Sequence, residues 1–191
     1  MASWTLSLTG AMGLWFALAP GMNTPDAHAA EGWVKTKEGC VLWNFFPHGK
    51  PSYSWSGKCA NGKAHGKGRL VIRHVVQGVL NTDRYKVEYK RGIMEGFGEI
   101  EFHNGSTYAG YFRANKKQGH GKYRWPNGVW YAGNYVDNQR HGQGEVFLPR
   151  GAGYIGPWRN GRQHGTGKCY RISGAKKLTQ TCRFKNGKRI R

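Results

Sequence analysis

One short motif, Gly-x-Gly, returns at a constant interval through most of this sequence. It occupies residues 96–98, 119–121, 142–144 and 165–167, and each copy begins 23 residues after the one before. An anchor tyrosine lies eleven residues before each copy, at Tyr85, Tyr108, Tyr131 and Tyr154. A fixed period of this length is typical of repeat proteins, whose units bury their apolar faces only against their neighbours. Such a chain is expected to form an extended surface rather than one unique catalytic pocket.

Residue types alternate around each anchor, as expected for a β-strand. A glycine follows three of the anchors after two residues, and another aromatic residue follows every anchor after four. Side chains two residues apart on a strand share a face, so we predict an aromatic face with glycines that leave room beneath the rings. An earlier, less regular copy begins at Trp55. The glycines of this pattern are Gly96, Gly98, Gly110, Gly119, Gly121, Gly133, Gly142, Gly144, Gly156, Gly165 and Gly167.

Turn residues separate the predicted strands. Pairs such as Asn61-Gly62 and Asn160-Gly161 stand six and seven residues after an anchor, and both residue types tolerate positive φ. We therefore predict an all-β fold: an elongated, single-layer antiparallel sheet of stacked β-hairpins. One interval is irregular, because residues 66–68 precede the next Gly-x-Gly by 30 residues. The extra seven residues, around 73–84, are predicted to form a longer hairpin loop.

The full pattern resembles the MORN repeat (membrane occupation and recognition nexus). Residues 108–121 carry Tyr-x-Gly-x-aromatic, a turn and Gly-x-Gly, and residues 131–144 and 154–167 match comparably. The resemblance covers about residues 53–187, with departures at Val87, Trp55 and Cys59. MORN repeats are associated with binding of anionic phospholipids and with scaffolding or self-association. No kinase, methyltransferase or other catalytic domain accompanies the array, so the resemblance implies a stand-alone interaction module and not an enzyme.

The N-terminal 29 residues are expected to be a cleavable signal peptide. Residues 6–19 form an apolar run too short to span a bilayer, and Ala27-His28-Ala29 is a small-x-small cleavage signal. A membrane anchor and a buried N-terminal helix are the alternatives. Beyond it we expect an N-terminal cap with a degenerate repeat at 30–52, MORN repeats at 53–168, and a basic C-terminal cap with a truncated repeat at 169–191. In a bacterium, export predicts a periplasmic or secreted protein.

The four cysteines are Cys40, Cys59, Cys169 and Cys182, and an even number after an export signal favours disulfides. Cys169 follows the Tyr154 anchor by 15 residues, as Leu70 follows Trp55. Leu70 also precedes Tyr85 by 15 residues, and Cys40 precedes Trp55 by the same distance, so Cys40 and Cys169 hold equivalent positions in the repeat. We predict the pairs Cys40–Cys59 and Cys169–Cys182, each joining neighbouring antiparallel strands near one end of the array. A zinc site made by all four cysteines is the alternative, but it lacks close Cys-x-x-Cys spacing.

Basic residues dominate the charge of the chain. Lysine and arginine number 30 against 10 acidic residues, which gives a formal net charge of +20. Such a balance favours an anionic membrane surface, lipopolysaccharide or an acidic polymer as partner, and simple solubility is the alternative explanation. The predicted binding residues are Lys116, Lys117, Lys122, Arg124, Arg140, Arg159, Arg162, Lys168, Lys176, Lys177, Arg183, Lys185, Lys188 and Arg189.

The sequence lacks the common signatures of catalysis. There is no Gly-x-Ser-x-Gly elbow or Walker-type loop, and strand signals follow each Gly-x-Gly where a dinucleotide motif needs a helix. His65, His141 and His164 share one phase, but adjacent repeats set them about 10 Å apart, too far for one ion. We expect these histidines to be exposed beside turns. The sequence thus predicts no enzymatic activity, cofactor or metal site.

Three kinds of partner remain open at this point. An anionic surface is the first, and a protein scaffold or homodimer formed through the sheet edges is the second. Nucleic-acid binding is permitted by the charge but opposed by the export signal and by the lack of a recognised motif. Strong dependence of binding on salt would separate an anionic partner from a protein partner.

Overall fold

A computed structural model of the chain describes residues 32–43 and 51–190, and within these ranges it consists of sixteen β-strands without a helix. The predicted signal peptide, 1–29, lies outside the described residues. The strands are β1 (Trp33–Lys35), β2 (Val41–Trp43), β3 (Ser52–Trp55), β4 (Lys58–Ala60), β5 (Lys63–Val76), β6 (Val79–Lys90), β7 (Ile93–Glu101), β8 (Thr107–Arg113), β9 (Lys116–Arg124), β10 (Trp130–Val136), β11 (Gln139–Leu148), β12 (Ala152–Arg159), β13 (Arg162–Gln163), β14 (Gly165–Ser173), β15 (Lys176–Lys185) and β16 (Lys188–Arg189).

All of these strands belong to one open sheet. Its order is β1-β2-β5-β6-β7-β8-β9-β10-β11-β12-β14-β15-β16, while β3 and β4 pair with β5, and β13 pairs with β12. From β5 onward the strands pair antiparallel in sequence order, as in β8–β9 and β9–β10, except that β14 pairs with β12 and not with the two-residue β13. The single parallel contact of the described sheet is Val41 with Lys63, where β2 meets β5. The predicted sheet of stacked antiparallel hairpins is confirmed.

The core of the sheet is its aromatic face, which we define by the anchors and the residues four positions after them. These side chains are all buried, although no second layer formed by residues 32–43 or 51–190 covers the sheet. Edge-to-face contacts link one hairpin to the next: the ring centroids of Tyr131 and Trp158 lie 5.0 Å apart, and those of Tyr108 and Tyr135 lie 5.6 Å apart. The aromatic face comprises Tyr85, Tyr89, Tyr108, Phe112, Tyr131, Tyr135, Tyr154 and Trp158.

The predicted two-residue turns are also confirmed. Asn61 and Gly62 have φ of 50° and 72°, and Asp137 and Asn138 have φ of 47° and 69°. Positive φ at both central residues is the type I′ geometry, whose twist matches that of the strands it joins. The turn residues therefore fix the strand register that places the anchors on one face.

The prediction of a longer loop around 73–84 is wrong. The additional residues instead lengthen both strands of a hairpin, so that β5 and β6 contain 14 and 12 residues and stay paired as far as Val76 and Val79. A turn at Gln77-Gly78, with φ of 50° and 79°, closes this hairpin. The added sequence is rich in β-branched residues, which favour extended backbone, and this explains why it forms strand rather than loop.

Candidate functional site

Strand alternation divides the predicted binding residues between the two faces of the sheet. We call the face opposite the aromatic face the basic face. On β9, for example, Lys122 and Arg124 alternate with Gly121 and Tyr123, which belong to the aromatic side. By the same register, ten of the fourteen predicted residues point to the basic face: Lys116, Lys122, Arg124, Arg159, Arg162, Lys168, Lys177, Arg183, Lys185 and Lys188.

The other four predicted residues lie on the aromatic side, and two of them are packed against rings. The Lys117 ammonium lies 5.1 Å from the ring centroid of Tyr108 and 5.0 Å from that of Tyr123, and burial lowers the pKa of Lys117. Both Lys117 and Arg140 stand nine residues after an anchor, where the preceding repeat has the buried Met94. Their long side chains therefore pack the aromatic face, and their role in binding an anionic surface stays a prediction.

Arg140 is held in the same way. Its guanidinium carbon lies 4.4 Å from the ring centroid of Trp158, and Nη2 donates a hydrogen bond of 2.6 Å to the carbonyl oxygen of Gly161 in the next repeat. Burial lowers the pKa of Arg140 as well. Lys176 and Arg189, the remaining two, are exposed but belong to the aromatic side by their register with Ser173 and Phe184.

The structure adds three basic residues that the sequence analysis missed. Arg69, Arg84 and Lys86 line a groove of about 630 Å³ on the basic face together with Lys122 and Arg124. Two acidic residues, Glu99 and Glu101, line the same groove. The five basic residues outnumber them, so the net charge of the groove is positive. Arg69 and Arg84 precede the first regular anchor and Lys86 directly follows it. The strand phase of all three is visible in the sequence and identifies them as members of this face.

Several of the cations on the basic face are not neutralised. Two of these cations form ion pairs: Lys86 Nζ lies 3.5 Å from Glu99 Oε2, and Lys116 Nζ lies 3.5 Å from Asp137 Oδ1. Four others form no ion pair within residues 32–43 and 51–190: Lys122, Arg124, Arg159 and Lys168. Those two pairs are exposed, and exposed pairs contribute little to stability. The positive charge of this face is therefore largely available to an external anion.

Aromatic side chains lie among these cations. Trp130 and Phe147 stack with ring centroids 5.6 Å apart, and the Lys122 ammonium lies 5.0 Å from the Trp130 centroid. Phe97 and Tyr111 form an edge-to-face pair at 5.6 Å and remain 50% and 53% exposed. A face that combines cations with exposed rings can attract an anion and also contact apolar or planar groups.

A second group on this face joins three strands. The Tyr170 hydroxyl donates a hydrogen bond of 2.7 Å to Glu145 Oε1, and the Lys177 ammonium lies 3.8 Å from the same oxygen. Lys177 also lies 3.9 Å from the centroid of the Tyr170 ring. Burial, followed by the bond to Glu145, raises the pKa of Tyr170 above its ordinary value. Lys177 is thus partly neutralised, unlike its exposed neighbour Lys176 on the other face.

The two predicted disulfides are present, with Cα atoms 5.6 Å apart in Cys40–Cys59 and 5.8 Å apart in Cys169–Cys182. The second disulfide joins the neighbouring antiparallel strands β14 and β15, as predicted, whereas the setting of the first differs from the prediction. Cys40 precedes β2 and Cys59 lies in β4, and these strands both adjoin β5 instead of each other. Cys182 lies opposite Gly167, so the second disulfide is a diagonal between β14 and β15. Two disulfides indicate an oxidising environment.

The phased histidines are half-buried rather than exposed, and two of them, His65 and His164, cap turns. Nδ1 of His65 lies 3.4 Å from the backbone nitrogen of Arg91 in the next repeat, and Nδ1 of His164 lies 3.5 Å from that of Asn186. Glu95 caps a turn in the same way: its Oε1 accepts a hydrogen bond of 3.0 Å from the backbone nitrogen of Ala114. The shared phase of these residues is explained by a backbone contact between repeats.

A different group in the described chain has the composition of a metal site. His74, Asp83 and His103 each offer one ligand atom within 4.8 Å of the others. The sequence analysis did not identify them, because they are distant in sequence and belong to the irregular hairpin and the end of β7. None of the described residues forms a helix with the length and apolar character needed to cross a membrane.

Comparison with known protein families supports the repeat assignment. A family model of the MORN repeat matches residues 60–72, 88–107, 108–129, 131–151 and 154–176, which is slightly more than half of the 191 residues. The matched segments run from the end of β4 to the start of β15 and leave out residues 73–87, which belong to the lengthened β5–β6 hairpin. No curated protein sequence shows significant similarity to the chain.

Proposed function

Because this chain belongs to the MORN-repeat family, we propose that it is a non-enzymatic binding module that attaches to anionic surfaces through its basic face. The observation that carries the proposal is the gathering of ten of the fourteen predicted cations on one face, with Lys122, Arg124, Arg159 and Lys168 free of ion pairs among the described residues. Each cation held near an anionic membrane contributes about 1 kcal/mol to binding. Several of them acting together give useful affinity without a deep pocket.

The ligand chemistry that this face suits is a surface of closely spaced negative groups. Phospholipid headgroups, lipopolysaccharide and acidic polymers all present closely spaced negative groups. The disulfides support a location outside the reducing cytosol, and a periplasmic or secreted location after removal of the N-terminal segment is part of the proposal.

The tip of the β5–β6 hairpin favours a lipid over a polymer. Val75, Val76, Val79 and Leu80 are between 45% and 66% exposed and occupy both sides of the hairpin end. Exposed apolar groups gain free energy on entering the acyl boundary of a membrane, whereas a hydrated polymer offers them nothing comparable. Arg73 and Arg84, on the basic face of the same hairpin, would lie near the headgroups.

A protein scaffold is the second candidate function. The exposed Phe97–Tyr111 pair favours it, because exposed aromatic residues often anchor protein interfaces. A protein partner, including a second copy of the chain, would tolerate salt that abolishes purely electrostatic binding.

The first test is co-sedimentation of the oxidised full chain with neutral vesicles and with vesicles containing anionic phospholipid, over a salt series. We expect binding to the anionic vesicles only, weakening as salt rises. Lys122→Gln combined with Arg124→Gln should reduce affinity about 10- to 30-fold, since two surface cations are lost. The matched control, Lys176→Gln with Arg189→Gln, removes the same charge from the aromatic side and should reduce affinity by less than about threefold.

The outcomes separate the candidates. Equal losses for the two double variants would mean that net charge, and not the basic face, drives attachment. Binding to neither type of vesicle, together with retained binding to an acidic polymer, would replace the lipid by a polymer. Val79→Ser with Leu80→Ser should weaken vesicle binding and leave polymer binding unchanged. A salt-insensitive dimer without vesicle binding would favour the scaffold.

A further inference from the structure

His74, Asp83 and His103 meet where the array departs from its regular period. His74 and Asp83 lie in the lengthened strands β5 and β6, and His103 follows the end of β7. His74 is 6% exposed and Asp83 is 1% exposed, while about a third of the His103 side chain reaches solvent. The imidazole rings of the two histidines meet edge to face, with centroids 5.0 Å apart. The cluster is therefore closed on one side and accessible on the other.

The Asp83 carboxylate is only half satisfied by the surrounding protein. Its Oδ1 accepts hydrogen bonds from the backbone nitrogen of His103, at 2.6 Å, and lies 2.9 Å from His103 Nδ1. Its Oδ2 is buried without a hydrogen-bond partner among the described residues and lies 3.9 Å from His74 Nδ1. A buried carboxylate oxygen left in this state is costly, and a bound cation is one way to compensate it.

This combination of residues is peculiar to one repeat. At the position of Asp83, two residues before the anchor, the later repeats have Ser106, Val129 and Ala152. At the position of His103, two of them have proline, Pro126 and Pro149. The hairpin fold itself therefore does not require an acid and an imidazole here, and their presence needs a separate reason.

We propose that His74, Asp83 and His103 bind a divalent transition-metal ion of the zinc class. Two imidazoles and one carboxylate are a common ligand set for such ions, and three protein ligands leave a fourth position open to solvent. Bonds of about 2.1 Å place tetrahedral ligand atoms about 3.4 Å apart, so ligand atoms within 4.8 Å need only a small inward movement. The exposed His103 ring makes this movement by rotating from Asp83 Oδ1 towards the ion.

The ion would tie the lengthened β5–β6 hairpin to the end of β7. The proposal is independent of attachment to an anionic surface, because none of the three residues belongs to the basic face. Its rival is a purely structural arrangement, in which His103 pairs with Asp83 and no metal binds. The two explanations give different results when zinc is added.

The test is isothermal titration of the metal-free, oxidised and untagged full chain with zinc chloride, followed by elemental analysis of the dialysed protein. We expect one zinc ion per chain and a higher Tm in its presence. His103→Gln should weaken zinc binding by at least about 10- to 100-fold, the loss seen even for residues that only support a ligand. Because its side chain is partly exposed, this variant should remain folded, which circular dichroism checks.

A control variant and a second ligand variant complete the design. His120→Gln removes an exposed histidine outside the cluster and should leave the stoichiometry and affinity unchanged. Asp83→Asn keeps the size of the side chain but removes its charge, and should also lose zinc binding. The proposal is overturned by absence of stoichiometric binding, or by binding that survives in folded His103→Gln and Asp83→Asn. Destabilisation of Asp83→Asn that is the same with and without zinc would point to the ion pair alone.

Discussion

Tyr131 shows why glycine recurs in this sequence. Its ring lies against Gly133 on its own strand, β10, and against Gly144 on the neighbouring strand β11. Its hydroxyl donates a hydrogen bond of 3.0 Å to the carbonyl oxygen of Asn134. Tyr108 and Tyr154 make the equivalent bond to Tyr111 and Pro157. Burial raises the pKa of Tyr131 to about 12, so the hydroxyl stays protonated and keeps donating at neutral pH. Gly133 and Gly144 are required here because glycine has no side chain and leaves room for the buried ring, not because their backbone has a positive φ.

Gly144→Ala should therefore destabilise the sheet by about 1–3 kcal/mol, the range for overpacking a filled core. A Cβ at this position would lie 2.3 Å from the Tyr131 hydroxyl oxygen and 2.6 Å from two ring carbons. The measurement is urea unfolding of the oxidised chain. Gln143→Ala, at the exposed neighbouring residue, is the control and should change the free energy of unfolding by less than about 0.5 kcal/mol. Equal effects of the two substitutions would show that the ring can move aside.

The hairpin is the element that the sequence predicts best, because its determinants are local. Alternation around Tyr108 and the turn residues Asp137-Asn138 specify strand, face and register within a few residues. The inward packing of Lys117 and Arg140 was not predictable in this way, since it depends on rings supplied by a neighbouring strand or repeat. The cluster around Asp83 was not predictable for the same reason, because only the folded sheet brings His74 and His103 close to Asp83.

Turns also connect one hairpin to the next. The backbone nitrogen of Asn138 donates to the carbonyl oxygen of Lys117 at 3.1 Å, and its Oδ1 accepts from the Lys117 backbone nitrogen at 2.8 Å. The backbone half of this contact recurs at Gly161, whose nitrogen donates to the Arg140 carbonyl oxygen at 2.9 Å. Successive hairpins are thus joined by hydrogen bonds at their turns as well as along their strands.

Asn138→Gly and Asn138→Ala should separate the two contributions of this turn residue. Glycine keeps the φ of 69° accessible and loses only the side-chain hydrogen bond, at a cost of about 0.5–1.5 kcal/mol. Alanine loses the same bond and must also adopt a left-handed backbone, which adds about 1–2 kcal/mol. Thermal or urea unfolding of both variants gives the comparison. An alanine variant as stable as the glycine variant would contradict the proposed backbone contribution.

Over the whole molecule, stability depends on neighbours, because each hairpin packs only against the next one along the sheet. Strand β14 pairs with β12 and β15, and nothing in the described chain covers β15 beyond the two residues of β16. A terminal unit of a repeat array lacks one stabilising interface and is expected to open first. The Cys169–Cys182 disulfide crosses β14 and β15, at the place where such opening would begin.

Replacing Cys169 and Cys182 together with alanine should therefore loosen one end of the array and leave its centre intact. The disulfide joins residues 13 positions apart, and closing a loop of this size stabilises by about 3 kcal/mol. Hydrogen exchange monitored by mass spectrometry should show faster exchange in β14 and β15, with β8 to β11 unchanged. Faster exchange of equal size in every strand would instead mean that the sheet unfolds as a single cooperative unit. Reduction of the wild-type chain is not an equivalent experiment, because it also opens Cys40–Cys59 at the other end.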